Sequence, residues 1–299
     1  MKIFSGSSNK PLAEKIAQIL KRELSELEIH VFPDEEKRIR VVERVVDEDC
    51  VAVQSTSTNA DKNYMELFFI VDALKRSGAK MVTAVIPYLG YQRQDHVFRT
   101  GEGVSLEVVI KMLEAVGVDK VITFDLHSVR IPELFSIRVL HLSALSIFAK
   151  TIKDKGWDDN NTVLVSPDMG GIRRIKELSE MLGDLPYAAI EKDRDLVTGE
   201  ISMGKMRGEV KKRVIIADDM ISTGRTIAAA ARLLGKKGAR EILVVATHPV
   251  FSENASKILQ QSIVEKIFVT DTIEVPKEKL FPKLSVLSVA DMIAKKIKD

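Results

Sequence analysis

One cysteine, Cys50, stands among 299 residues. A lone thiol excludes an intramolecular disulfide and any zinc site built on cysteines. It heads the run Cys50-Val51-Ala52-Val53 and reads as a small buried hydrophobe. Long apolar runs are missing as well. No uncharged stretch approaches the length of a membrane span, and Met1-Lys2-Ile3-Phe4-Ser5-Gly6 lacks the apolar core of a secretory signal. The expectation is a cytoplasmic protein with no membrane partner, in which the sequons at Asn160 and Asn254 mean little. Neither sign of charge dominates: 45 basic and 43 acidic residues leave a formal +2, which argues against a nucleic-acid partner. The basic runs at 211–213 and 295–298 read as solvated faces. Nucleotide fingerprints are absent too. Gly199-Glu200-Ile201-Ser202-Met203-Gly204-Lys205 copies a phosphate-binding loop, but Met206 replaces the magnesium-binding hydroxyl and the flanks suggest a hairpin. Gly101-Glu102-Gly103 lacks a third glycine.

What is present is alternation. Short β-branched runs at 2–4, 28–32, 51–54, 81–86, 121–125, 162–166, 214–217, 242–247 and 266–270 read as strands. Amphipathic stretches near 9–24, 62–77, 104–116, 143–155, 169–182, 225–237 and 254–261 read as helices. Strands apolar almost throughout suit parallel sheets covered by helices. The pattern runs twice, once to about residue 141 and again to about residue 280. The expected fold is α/β, two similar doubly wound domains with mainly parallel sheets. The first covers 1–141 and the second 142–283, with one more strand and a helix following.

The most informative segment is Val214-Ile215-Ile216-Ala217-Asp218-Asp219-Met220-Ile221-Ser222-Thr223-Gly224-Arg225-Thr226. An apolar strand feeds two acids, then a turn of small hydroxyl residues and glycine that opens a helix. Helix N-termini favour phosphate, and paired acids accept from sugar hydroxyls or help hold Mg²⁺. A capped helix after a buried strand is the plain alternative. Other strand ends carry apt chemistry. Arg93 can fork onto phosphate oxygens and Gln94 can bond a nucleotide, although the stretch alone reads as a surface loop. His127, in Asp125-Leu126-His127-Ser128, is either a hydrogen-bonded structural residue or a ligand to Mg²⁺ or phosphate. Asp168-Met169-Gly170-Gly171 lets backbone approach an anion and offers a carboxylate for its metal, or is simply a flexible helix start. In Glu191-Lys192-Asp193-Arg194-Asp195 the alternating charges are either solvated or close over transferring phosphates. Phe32-Pro33-Asp34-Glu35-Glu36 reads by itself as a turn with a half-buried aromatic; the alternative is a purine stack with an acid accepting from its amino group.

In this order the segments, with Phe4-Ser5-Gly6-Ser7-Ser8, resemble the ribose-phosphate pyrophosphokinase family over nearly the whole chain, and the Asp218–Thr226 stretch is similar to the phosphoribosyl diphosphate motif of phosphoribosyltransferases. The resemblance implies a phosphoribosyltransferase-like fold in which the 284–299 segment returns to the first domain. It implies transfer of the β,γ-diphosphoryl group of Mg·ATP to the C1 hydroxyl of ribose 5-phosphate, giving 5-phosphoribosyl 1-diphosphate and AMP. Carried over, Asp218 and Asp219 hold ribose hydroxyls, and Ser222, Thr223, Gly224 and Thr226, with Arg225 among them, surround the 5-phosphate. Asp168, Gly170 and Gly171 form a diphosphate loop; His127 and Asp168 serve the cofactor Mg²⁺. Arg93, Gln94, Asp95 and His127 contact ATP, and Lys192 and Arg194 are the catalytic cations. Phe32, Asp34 and Glu36 grip adenine on a neighbouring subunit, so the resemblance implies a homo-oligomer with its ATP site at a subunit interface. Arg225 replaces a usual small residue, and Glu35 stands where glycine is frequent. Two other readings are a phosphoribosyltransferase, which leaves the first half without a purpose, and a non-catalytic regulatory relative, which retention of these residues disfavours.

Overall fold

Strands buried on both faces need helices on both sides, and that requirement organises the chain. The computed structural model describes residues 1–194 and 201–298, with 192–194 and 201–205 described by backbone alone. Its contacts separate two units: Met1–Leu142 with Thr272–Glu274 and Ser288–Asp299, and Ser143–Asp271 with Val275–Leu287.

The first unit contains β1 (Lys2–Ser5), α1 (Lys10–Ile19), the pair β2 (Leu27–Val31) and β3 (Lys37–Val41), β4 (Asp49–Val53), α2 (Ala60–Arg76), β5 (Met81–Val85), α3 (Ser105–Ala115), β6 (Lys120–Phe124) and β7 (Arg138–Leu142). Its parallel sheet has the order β1-β4-β5-β6-β7, and a single parallel bridge from Ile3 to Leu24 extends it beyond β1. The winding therefore reverses between β1 and β4. Helices α2 and α3 bury Leu67, Phe68, Val71, Leu106 and Ile110 on one face of this sheet. The hairpin of β2 and β3 forms a separate antiparallel ribbon. Cys50 is buried as expected, and burial pushes its thiol up to about 11.

The second unit holds α4 (Leu145–Asp154), β8 (Thr162–Ser166), α5 (Ile172–Met181), β9 (Tyr187–Arg194), β10 (Ile201–Arg207), β11 (Arg213–Ile221), α6 (Arg225–Lys236), β12 (Glu241–Pro249), α7 (Ala255–Gln261), β13 (Lys266–Thr270) and β14 (Leu284–Leu287). The sheet order is β10-β9-β8-β11-β12-β13-β14, parallel except for the β9–β10 hairpin. Its reversal lies between β8 and β11.

One expectation needs correcting. Residues 284–299 do not return together to the first unit: β14 pairs in register with β13, Ile267 opposite Leu284, and stays in the second sheet. The next helix, α8 (Ala290–Lys298), packs on α1 in the first unit. Leu284-Ser285-Val286-Leu287 finds open hydrogen-bonding groups on the edge of β13, whereas an amphipathic helix needs an apolar surface.

Candidate active site

Ligands of open α/β sheets bind beyond the strand ends at a switch point, and the second unit builds a charged cluster at its own. On that edge β8 stops pairing at Val165 opposite Ile216, while β11 stays bonded to β12 as far as Ile221. Asp218 and Asp219, expected just past a strand ending at 217, instead lie on the last stretch of β11, overhanging the end of β8. The Asp218 side chain is 16% exposed and that of Asp219 7%. Arg174 of α5 approaches both, with Nη1 3.7 Å from Asp218 Oδ1 and Nη2 3.8 Å from Asp219 Oδ2. Burial raises the Asp218 pKa well above the ordinary carboxyl value, the charge and hydrogen bond of Asp219 add to this, Arg174 opposes it, and Asp168 raises it further. Two carboxylates thus share one guanidinium, with the charge of Asp168 acting on Asp218 as well.

Asp168 caps the short turn Met169–Gly171 that leads into α5. Its Oδ1 accepts from Gly171 N at 3.2 Å, and its carbonyl accepts from Ser166 Oγ at 2.7 Å. A Cβ on Gly171 would lie 2.3 Å from Ser166 Oγ, so a side chain there displaces the hydroxyl that bonds the Asp168 carbonyl. Gly170 differs: its Cβ would meet only Asp168 Oδ1, at an ordinary 3.4 Å.

After β11 the chain turns through Ser222, Thr223 and Gly224 into α6. Gly224 takes φ 74°, and a Cβ would approach Leu259 to 3.0 Å. Gly224 at the N-cap offers no side chain, and Thr223 Oγ1 accepts only a long 3.4 Å bond from Arg225 N. The first N–H groups of α6, including that of Thr226, face the direction that attracts anions. Ser222 Oγ lies 2.9 Å from Ser252 Oγ, and Ser252 N donates to the Ser222 carbonyl at 3.1 Å, so the 250–254 loop braces the turn.

The first unit presents separate loops. Gln92 is fully buried, and its Oε1 accepts from His127 N at 2.9 Å, tying the loop after β5 to the loop after β6. Arg93 and Gln94 beside it are exposed, as is the His127 side chain. Asp95 is paired with His96 at 2.6 Å. On the hairpin tip, Phe32 is 36% exposed, with the Arg38 guanidinium 5.8 Å from its ring centre and His30 edge-on at 4.6 Å. Asp34 and Glu36 are exposed, and Asp34 Oδ1 accepts from Glu36 N at 3.3 Å. Lys192 and Arg194 fall on β9, which continues past 190 because β10 pairs with it; their side chains lie outside the described residues.

Two family models match this chain: the N-terminal domain of ribose phosphate pyrophosphokinase over residues 1–117, and the phosphoribosyl synthetase-associated domain over 160–299. A ribose-phosphate pyrophosphokinase from Fusobacterium nucleatum is 40% identical over 99% of this chain and 94% of that protein. The chain belongs to the ribose-phosphate pyrophosphokinase family. Ribose-phosphate pyrophosphokinase 1 of Streptococcus pyogenes is 38% identical, over 99% of this chain and 93% of its own length. The crystal structure of phosphoribosylpyrophosphate synthetase from Mycobacterium smegmatis matches with a TM-score of 0.93 at 33% identity, covering 99% of this chain and 97% of that one.

Two departures from the pyrophosphokinase pattern have local explanations. Glu35 takes φ 70°, a left-handed conformation that glycine adopts without strain, and its carboxylate is paired with Lys62 at 2.6 Å. Arg225 is paired with Glu253 at 2.8 Å on an exposed surface. Sequence reading missed Arg174, Gln92 and Ser252. The signal for Arg174 was its place in the first turn after the glycine pair, where a helix side chain leans back toward the strand end.

Proposed function

We propose that this pyrophosphokinase-family chain is an active ribose-phosphate pyrophosphokinase, making 5-phosphoribosyl 1-diphosphate for nucleotide biosynthesis. The observation that carries the reading is the run of two clustered carboxylates into a glycine-capped helix N-terminus on one strand–turn–helix. Asp218 and Asp219 accept from ribose hydroxyls. Ser222, Thr223, Gly224 and Thr226 receive the 5-phosphate through backbone N–H and hydroxyl groups, and Arg225 contributes positive potential at the mouth. The C1 hydroxyl oxygen attacks the β-phosphorus of ATP, the bond from that phosphorus to the α,β-bridging oxygen breaks, AMP leaves, and the hydroxyl proton passes to solvent. Positioning and charge supply most of the acceleration in such transfers, so no general base is required.

Arg93, Gln94, Asp95 and His127 contact ATP in this reading, Gly170 and Gly171 allow the diphosphate near the backbone, and Lys192 and Arg194 neutralise charge growing on phosphorus. The exposed Phe32, with Asp34 and Glu36, holds adenine for a neighbouring subunit of a homo-oligomer. Among the described residues no group of three or more His, Cys, Asp or Glu side chains is arranged to hold a metal alone. The donors still suit Mg²⁺, which takes one or two carboxylates plus substrate phosphates and water. Asp168 and His127 are the side chains that would hold it. When bound, Mg²⁺ neutralises phosphate charge. No helix among the described residues is long and apolar enough to cross a membrane; a cytoplasmic location belongs to this proposal.

Incubation of the protein with ATP, Mg²⁺ and ribose 5-phosphate is expected to release AMP only when the sugar is present. Sugar-independent AMP, or none from a folded protein, refutes the reading.

A further inference from the structure

The first unit has its own switch point, between β1 and β4, and it is sealed by polar side chains of the protein. Glu66 of α2 is buried there, 1% exposed. Its Oε1 accepts from Ser7 N at 2.6 Å and Gln54 Nε2 at 3.0 Å, and its Oε2 from Ser7 Oγ at 2.9 Å. Gln54 Oε1 in turn accepts from Ser8 N and Ser8 Oγ, at 3.1 and 2.8 Å. The packing is tight enough that a Cβ on Gly6 would fall 2.3 Å from Gln54 Oε1. Ser7 and Ser8 follow β1 and Gln54 follows β4, so the hub sits at the carboxyl ends of the sheet.

The fourth donor comes from outside the sheet. Lys37 Nζ lies 2.5 Å from Glu66 Oε2, and Lys37 is the first residue of β3, directly after the 32–36 tip. The ribbon of β2 and β3 has no fully buried residue, and a two-stranded ribbon is marginal by itself in water. Its strand β3 lies against α2, and partly buried Leu27, Ile39 and Val41 pack on the core of the first unit. Nearer the tip its ion pairs with α2 are the exposed Glu35–Lys62 contact and Lys37–Glu66. Exposed pairs contribute little. A cation on a buried carboxylate with three further donors is a far firmer attachment.

We propose that Lys37 is a positioning residue for the nucleotide base: through Glu66 it fastens the hairpin tip carrying Phe32, Asp34 and Glu36 to the sealed switch point of the first unit. This rests on the reading that the tip holds adenine. The test compares wild type, Lys37→Met, Lys37→Arg, Lys37→Met with Glu66→Gln, and Phe32→Ala, all full length. Steady-state constants for both substrates are measured, with amide hydrogen exchange over residues 27–41. Lys37→Met is expected to raise KM for ATP about tenfold, leave KM for ribose 5-phosphate and kcat nearly unchanged, and speed hairpin exchange. Lys37→Arg is expected to restore both readouts. The double variant, which leaves no unpaired buried charge, is expected to fold normally yet keep the ATP defect. Unchanged hairpin exchange in Lys37→Met overturns the proposal alone, as does an equal loss in all three constants. Faster exchange with KM for ATP unaffected by Phe32→Ala overturns the adenine reading and the positioning role with it.

Discussion

Arg174→Met keeps most of a long side chain and removes the guanidinium that faces both acids of the proposed sugar seat. Its nitrogens stand 3.7 and 3.8 Å from the two carboxylates. Unit charges about 4 Å apart interact by about 4 kcal/mol at an effective dielectric of 20. The cluster is mostly but not wholly buried, and halving that figure for solvent gives about 2 kcal/mol, roughly 30-fold in an equilibrium constant. Asp218 is already raised, first by burial and then by Asp219, with Arg174 opposing. Without the arginine the shift goes further upward, which disfavours the carboxylate form proposed to accept from the sugar hydroxyls. Initial rates of AMP formation against ribose 5-phosphate, at saturating ATP, are expected to show KM raised, with roughly 30-fold as the upper limit. The deficit is expected to narrow toward alkaline pH, where the carboxylate is recovered. An unchanged KM with an unchanged pH profile, from a protein with normal circular dichroism, refutes the argument.

Asp219→Asn is expected to raise KM for ribose 5-phosphate while leaving KM for ATP alone; equal shifts in both place the acid elsewhere. Lys192→Ala is expected to lower kcat by about 10²-fold, the scale of one lost transition-state donor, with sugar affinity retained; normal turnover removes that role. Gly224→Ala meets both the φ of 74° and Leu259, and is expected to destabilise by about 1–3 kcal/mol, read as a lower Tm and a higher KM for the sugar phosphate. Burial pushes the Glu66 carboxyl up, but its bonds from Lys37 and Ser7 outweigh this and leave it below the usual range. The folded state then binds fewer protons than the unfolded chain, so this contribution is present above the unfolded glutamate pKa of about 4.3 and fades as pH falls through the lower folded value. Thermal melts across that acid window are expected to show a shallower pH dependence in the Lys37→Met, Glu66→Gln double variant than in wild type.

The central strands were legible because burial on both faces writes an unbroken apolar run, as in Val214-Ile215-Ile216-Ala217. Strands β3 and β7 were not. Lys37-Arg38-Ile39-Arg40-Val41 exposes Arg38 and Arg40, and Arg138-Val139-Leu140-His141-Leu142 exposes Arg138 and His141, so polar residues interrupt both apolar runs. The length of β11 was hidden for a different reason: pairing with β12 carries it through two acids that no propensity would place in a strand. In the site, residues adjacent in sequence were readable and those joined by topology were not. Asp218, Asp219 and Gly224 share one turn, whereas Arg174 reaches the acids only because β8 and β11 are neighbours. Glu66 left a trace. It sits among Tyr64, Leu67, Phe68, Ile70 and Val71 on the buried side of α2, where an unpaired carboxylate is not tolerated.

The helix that comes back to α1 has a consequence for how this protein is made. Ala290–Lys298 leaves the ribosome after every strand of the second unit, yet it covers a helix begun at Lys10. The second unit is thus free to close while the first, begun earlier, still waits for this helix, and the part of α1 that it covers stays open throughout that interval. Order of synthesis and order of completion run in opposite directions.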